Sequence, residues 1–231
     1  TYAPAIYPIN SRNIIVQRNM LYHTNDERFL RNGNPGRGIM LGDEHYFMQE
    51  HGMTLENIKV LNNFVAGFQT NIGFWFNGFH DVSALKNVLI ANNTLVNAHS
   101  NDPGSLSYSI WFQSTDGGSH NAVIKNNIIY QTDESSGLVS VGNYDGTLDF
   151  DNNLWSSQPA DDNASGANDV IADPMLGLSG TISAGNLTTD FFKIKSGSPA
   201  INQGVSLEDV TEDYFGQQRG SLPDMGGHEK E

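Results

Sequence analysis

Five short stretches of the chain alternate apolar and polar residues in one shared register. They run Asn13–Met20 (NIIVQRNM), Asn57–Phe64 (NIKVLNNF), Asn87–Thr94 (NVLIANNT), Asn121–Ile128 (NAVIKNNI) and Thr147–Leu154 (TLDFDNNL), with start-to-start spacings of 44, 30, 34 and 26 residues. The period of two predicts a strand in each, with one apolar face made of Ile14/Val16, Ile58/Val60, Val88/Ile90, Ala122/Ile124 and Leu148/Phe150. Each stretch closes on an Asn: Asn19, Asn63, Asn93, Asn127 and Asn153. Asn tolerates the left-handed backbone of a sharp bend. Its amide can also bond to an identical amide one layer away, forming a ladder.

A second strand follows in most repeats. The alignment sets Gly38–Gly42, Gly73–Asn77 and Ser109–Gln113 side by side, with Leu138–Gly142 as a looser fourth copy. In that register Ile39/Leu41, Phe74/Phe76, Ile110/Phe112 and Val139/Val141 point inward. Met40, Trp75, Trp111 and Ser140 form an outward column that stacks the two indoles on neighbouring layers. The sequence shows no regular Asn-Gly or Asp-Gly hairpin signal of the kind an antiparallel sandwich carries. The expected fold is all-β: a right-handed parallel β-helix of about five coils over residues 1–156, closed by an irregular C-terminal cap of the same domain over 157–231. Five layers at about 4.8 Å make a stack of roughly 24 Å. The first ten residues look too short to cap the other end, which implies sequence upstream or a packing partner there.

The Asn-apolar-x-apolar-x-x-Asn coils resemble the right-handed β-helix proteins of the pectate-lyase-like superfamily. The C-terminal succession Asp173-Pro174-Met175, Asp190–Ile194, Ser198–Gly204, Asp213–Gly216 with Arg219, and Asp224–Glu229 is similar to the closing segment of exported bacterial β-helix proteins. That resemblance implies a secreted or cell-surface bacterial protein acting on carbohydrate. It does not choose a chemistry, because the superfamily hosts lyases, hydrolases, epimerases and adhesin-like stalks.

Charge narrows the partners. The 231 residues carry 12 Lys and Arg against 26 Asp and Glu, a formal net charge of −14, which excludes general nucleic-acid binding. No apolar run is long enough to insert in a membrane. Without Cys there are no disulfides, thiolate metal sites or Cys nucleophile. Arg12, Arg18, Arg28, Arg31 and Arg37 cluster near the start, either as partners of acids such as Asp26 and Glu27 or as an anion-recognising surface.

In such a fold the chemistry must sit on outward strand residues and coil-corner loops. Trp75 and Trp111 are candidate sugar-stacking platforms, with Arg37, Asn77 and Gln113 as further substrate-binding residues. Asp43, Glu44, His80, Asp81 and Asp116 follow successive copies of the second strand and are the candidate catalytic groups, with His45 and His120 beside them. Carboxylates one layer apart sit roughly 5 Å from each other and two layers apart roughly 10 Å, which brackets the separations of retaining and inverting glycosidases. An elimination on an acidic polysaccharide would instead use Arg37, Lys86, His45 or His80. No cofactor is required. Ca²⁺ would suit Asp145, Asp149 and Asp151, or Asp161, Asp162 and Asp169, although neither set matches a known loop pattern.

The expected activity is cleavage of a polysaccharide or oligosaccharide, as a glycoside hydrolase or a polysaccharide lyase. The rivals are a non-catalytic saccharide-binding or stalk module, and one piece of a larger enzyme. Sugar, linkage and oligomeric state are not encoded in any motif found.

Overall fold

The computed structural model describes residues 3–24, 26–44, 55–77, 85–102, 104–113, 119–132, 135–142 and 145–230. In chain order its strands are β1 (Pro4–Ile6), β2 (Arg12–Gln17), β3 (Met20–Tyr22), β4 (Arg37–Glu44), β5 (Leu55–Leu61), β6 (Phe64–Ala66), β7 (Thr70–Asn77) and β8 (Leu85–Ala91). There follow β9 (Thr94–Val96), β10 (Tyr108–Phe112), β11 (Ser119–Lys125), β12 (Ile128–Tyr130), β13 (Gly137–Val141), β14 (Asp145–Asp151), β15 (Leu154–Trp155) and β16 (Val170–Ile171). Strands three apart in sequence pair, and β16 adds to its immediate predecessor β15, always parallel. They build sheet A (β1-β4-β7-β10-β13), sheet B (β2-β5-β8-β11-β14) and sheet C (β3-β6-β9-β12-β15-β16). The chain visits the three sheets in rotation, an all-β arrangement consistent with a parallel β-solenoid.

The repeated motif is sheet B. Ile14, Ile58, Val88, Ala122 and Leu148 pair along one row, and Val16, Val60, Ile90, Ile124 and Phe150 along the next. Apart from partly buried Ile14, all of them lie in the core. The Asn residues divide two tasks that the sequence reading gave to one. The left-handed residue is the first of each pair, Asn62, Asn92, Asn126 and Asn152, with Arg18 in the first turn. The second Asn makes the ladder. Asn19, Asn63, Asn93 and Asn127 each donate backbone and side-chain N–H to the Oδ1 of the next, at 2.9–3.1 Å. The Asp169 carboxylate ends the run by accepting from Asn153 N at 2.7 Å. Each buried amide also donates to a strand carbonyl; for Asn93 this is Val60 O at 2.9 Å. Every polar atom of the ladder thus trades water for a partner, which burial demands.

A second ladder runs from Asn87 to Asn57 to Asn13, at 2.7 and 3.0 Å, on residues that are themselves left-handed. It stops there because the register shifts between His120 and Ala122, where β11 has one residue fewer than β8.

The irregular C-terminal segment does two jobs. Residues 156–169 cross the end of the stack and insert Ala164 into the core. Residues 173–230 run along the side, over the outer face of sheet C. There Phe64 stacks between Phe192 (4.8 Å) and Tyr214 (4.2 Å). Each such pair adds about 0.5–1.5 kcal/mol beyond area burial. The corner Asn side chains fasten the same segment: Asn62 Nδ2 donates to Glu212 O (2.8 Å), and Asn126 Nδ2 to Val205 O (2.8 Å).

Candidate functional site

The outer face of sheet A carries the site, and its register differs from the sequence alignment. Ile39, Ile72, Ile110 and Val139 pair in one row, and Leu41, Phe74, Phe112 and Val141 in another. The β7 copy is therefore displaced by two residues. Phe74 and Phe76 still point inward, because a shift of two preserves the face. The outward row becomes Met40, Gly73, Trp111 and Ser140, while Trp75 lies opposite Gly42. The two indoles do not stack in one column.

Glycine shapes this face at two places. A Cβ on Gly73 would lie 2.8 Å from Trp111 O and 2.9 Å from the Met40 sulfur. Met40 therefore lies flat and is fully buried although its strand position faces outward. A Cβ on Gly42 would collide with the Tyr7 ring, so glycine there lets the tyrosine lie on the strand. Tyr7 comes from the segment after β1, which sits on the edge of the sheet through Gly42 N to Pro8 O and Asn10 N to Gly42 O, both 2.9 Å.

A cleft of about 590 Å³ results, lined by Tyr7, Arg31, Arg37, Glu44, Trp75 and Met40, with Pro4 and Asn32 at its rim. Trp75 Nε1 donates to the Tyr7 hydroxyl, which donates to Glu44 Oε1. Burial, reinforced by the Glu44 hydrogen bond, raises the Tyr7 pKa well above the ordinary phenol range, so the hydroxyl stays a proton donor. The Glu44 backbone is clamped by Asn10, whose Oδ1 accepts from Glu44 N at 2.6 Å and whose Nδ2 donates to Glu44 O at 2.5 Å. The Arg37 guanidinium lies 5.1 Å from the centre of the Trp111 ring, a cation–π contact that ties it to the adjoining row.

Arg31 reaches the cleft by a device missed in the sequence. Arg31 and Asn34 exchange both backbone hydrogen bonds (2.9 and 3.0 Å) around Asn32 and Gly33, with φ of 51° and 77°. Asn-Gly at a two-residue turn is a strong hairpin signal, and it stands here outside the repeated coil pattern. Asn34 Nδ2 anchors the turn on Ser105 Oγ (3.2 Å) and Asp102 Oδ2 (3.5 Å). The Ser105 and Gly104 hydrogen bonds hold the Asp102 carboxyl below its usual pKa.

The remaining candidates separate. Asp43 lies within β4, alternating with Ile39 and Leu41 and opposite Phe76, so it faces the core and is fully buried rather than sharing the cleft with Glu44. Gln113 turns its Oε1 to Phe76 N at 3.2 Å. The Asn77 backbone ends β7 opposite Glu44. His45, His80, Asp81 and Asp116 lie outside the described residues. Of the five arginines near the start, Arg12 pairs with Glu56 (3.2 Å), Arg18 with Glu212 and Arg28 with Asp26 (2.5 Å), and Arg31 and Arg37 line the cleft. Asp149 binds Lys125 (2.8 Å), Asp151 receives Asn168, and Asp169 ends the ladder. Among the described residues no three His, Asp or Glu gather as a metal site, and no helix is long and apolar enough to cross a membrane. No family profile and no curated protein matches the chain.

Proposed function

We propose that the chain is a right-handed parallel β-helix of five coils, of the pectate-lyase-like type, and that the sheet A cleft holds a polysaccharide or oligosaccharide. The carrying observation is the convergence of an indole, two guanidinium groups, a phenol and a carboxylate in one cleft of about 590 Å³. Sugars are held by aromatic faces and by convergent polar groups in such sites. The two arginines suit a saccharide bearing negative groups.

Cleavage is the fuller form of this proposal. Glu44, its orientation fixed by Tyr7 and Asn10, would serve as the carboxylate that activates water or attacks the anomeric carbon. A second acid, for which Asp81, His80 and Asp116 are the candidates, protonates the leaving oxygen as the glycosidic bond breaks. Water either attacks the anomeric carbon in that same step, giving its proton to Glu44, or hydrolyses the glycosyl–Glu44 ester in a second step, giving its proton to the former acid. Export to the cell surface or medium belongs to the same proposal. The second reading, a non-catalytic binding module, is favoured by the inward turn of Asp43, which leaves Glu44 as the sole carboxylate among the described lining residues.

A panel of neutral and uronate polysaccharides separates the two. Reducing ends report cleavage by either route, and ultraviolet absorbance reports unsaturated products. The cleavage proposal expects activity on at least one substrate, and a fall of about 100-fold or more in Glu44→Gln. Retention without turnover in the parent protein assigns the binding module instead.

A further inference from the structure

A second hollow adjoins the cleft. It measures about 580 Å³ and is walled by Met20, Leu21, Phe29 and Phe68, with His23 at its side. Pro4 and Arg31 line both spaces, so the two open on either side of one partition. Their walls differ in chemistry. The cleft adds Arg37, Glu44, the Tyr7 hydroxyl and an indole to the shared Arg31, whereas the rest of the hollow, apart from Asn34, is aliphatic or aromatic. Gly36 keeps it open, since a Cβ there would lie 2.9 Å from Ala3 O and 3.5 Å from the His23 ring. His23 stands edge-on to Phe68, with ring centres 5.8 Å apart. Its Nδ1 lies 2.7 Å from Thr24 O, which fixes the proton on that nitrogen and leaves Nε2 an acceptor in the neutral ring. Phe29 is 63% exposed, an apolar ring spent on no core contact.

From this pairing we infer that the ligand is a saccharide carrying an aryl substituent: the sugar lies in the cleft against Trp75, and the aryl group crosses the Pro4–Arg31 partition into the hollow. The inference rests on the saccharide reading of the cleft and extends it to a substrate class. Two contiguous spaces of about 580 and 590 Å³ fall within the range of small-molecule sites, roughly 300–1,000 Å³. Neither is explained by the other's chemistry. A sugar ring stacks on one aromatic face and leaves the aliphatic Met20 and Leu21 wall unmatched, and a purely apolar ligand has no use for Arg37 and Glu44. Arg31, held by its pinned turn at the junction, is placed to meet polar atoms of the linkage between the two halves.

The test compares methyl and 4-methylumbelliferyl β-D-glucuronide, and the matching pair of glucosides, by calorimetry on the whole chain. An aryl member that binds at least tenfold more tightly than its methyl partner supports the inference, provided that Phe29→Ala removes most of that advantage while leaving methyl glycoside affinity within about twofold. The exposure of Phe29 makes this variant safe for folding. Equal affinity of aryl and methyl forms, with both lost in Trp75→Ala, overturns the inference and leaves the saccharide cleft standing. Aryl binding that survives Trp75→Ala overturns both, and no binding by any of the four overturns the inference while the polysaccharide panel still decides the saccharide reading.

Discussion

At the scale of single residues, the paired Asn of each turn shows how one side chain type serves two physical needs. The first Asn accepts a φ near 53–57° that most residues avoid, and its amide holds the C-terminal segment; the second is buried and bonded on every side. Asn93→Ala would strand the backbone and side-chain N–H groups of Asn63 and take a donor from the Val60 carbonyl, while the backbone N–H of residue 93 still reaches Asn127 Oδ1. At about 1–3 kcal/mol for each buried group left unsatisfied, denaturant unfolding should show a loss of about 3 kcal/mol or more. A loss under about 1 kcal/mol would mean the ladder contributes little. His228 supplies a pH signature. Burial holds its pKa below the ordinary value, with Lys193, Lys230 and Arg219 acting in the same direction, Asp213 opposing, and the Phe215 ring 5.8 Å away. A lowered folded pKa means that the neutral ring stabilises the fold above the unfolded value of about 6.5, and that this contribution is lost as pH falls through the folded value. Between about pH 7 and pH 4 the parent protein should lose more stability than His228→Gln. Parallel melting curves against pH for the two would contradict it.

At the scale of elements, the sheet B strands and their inward faces were legible because period-two alternation and the Asn pair recur together. The register of sheet A was not. Gly73-Phe-Trp-Phe aligns with Gly38-Ile-Met-Leu as convincingly as the true pairing, and a displacement of two costs nothing in inward burial, so the pattern cannot resolve it. What resolves it is outward packing: Met40 lying over Gly73, and Tyr7 over Gly42. The same blindness hid Asp43, whose charge suggested a solvated turn although its strand parity points to the core. The Asn32-Gly33 turn is legible as a single Asn-Gly hairpin signal that stands apart from the coil repeat. Gly42→Ala tests the element-scale account. The added methyl should push Tyr7 off the strand and release Trp75, costing about 1–3 kcal/mol by overpacking and shifting the indole emission. Unchanged stability and emission would show that Tyr7 is not held there.

At the scale of the molecule, the acidic half of the chain is the part that wraps. Residues 173–230 lie along sheet C and its corner, fastened by Arg18–Glu212 and by Lys59–Asp209 at 2.6 Å, so basic side chains of the first turns meet acids of the last segment. Among the described residues that segment does not line the sheet A cleft, where Arg31 and Arg37 lie beside Glu44 and Trp75. The proposed saccharide site depends above all on the Trp75 indole. Calorimetric titration of Trp75→Ala with whichever polysaccharide the parent protein retains measures it directly. At least a tenfold loss of affinity is expected in a variant that still unfolds cooperatively, and affinity equal to that of the parent protein would contradict it.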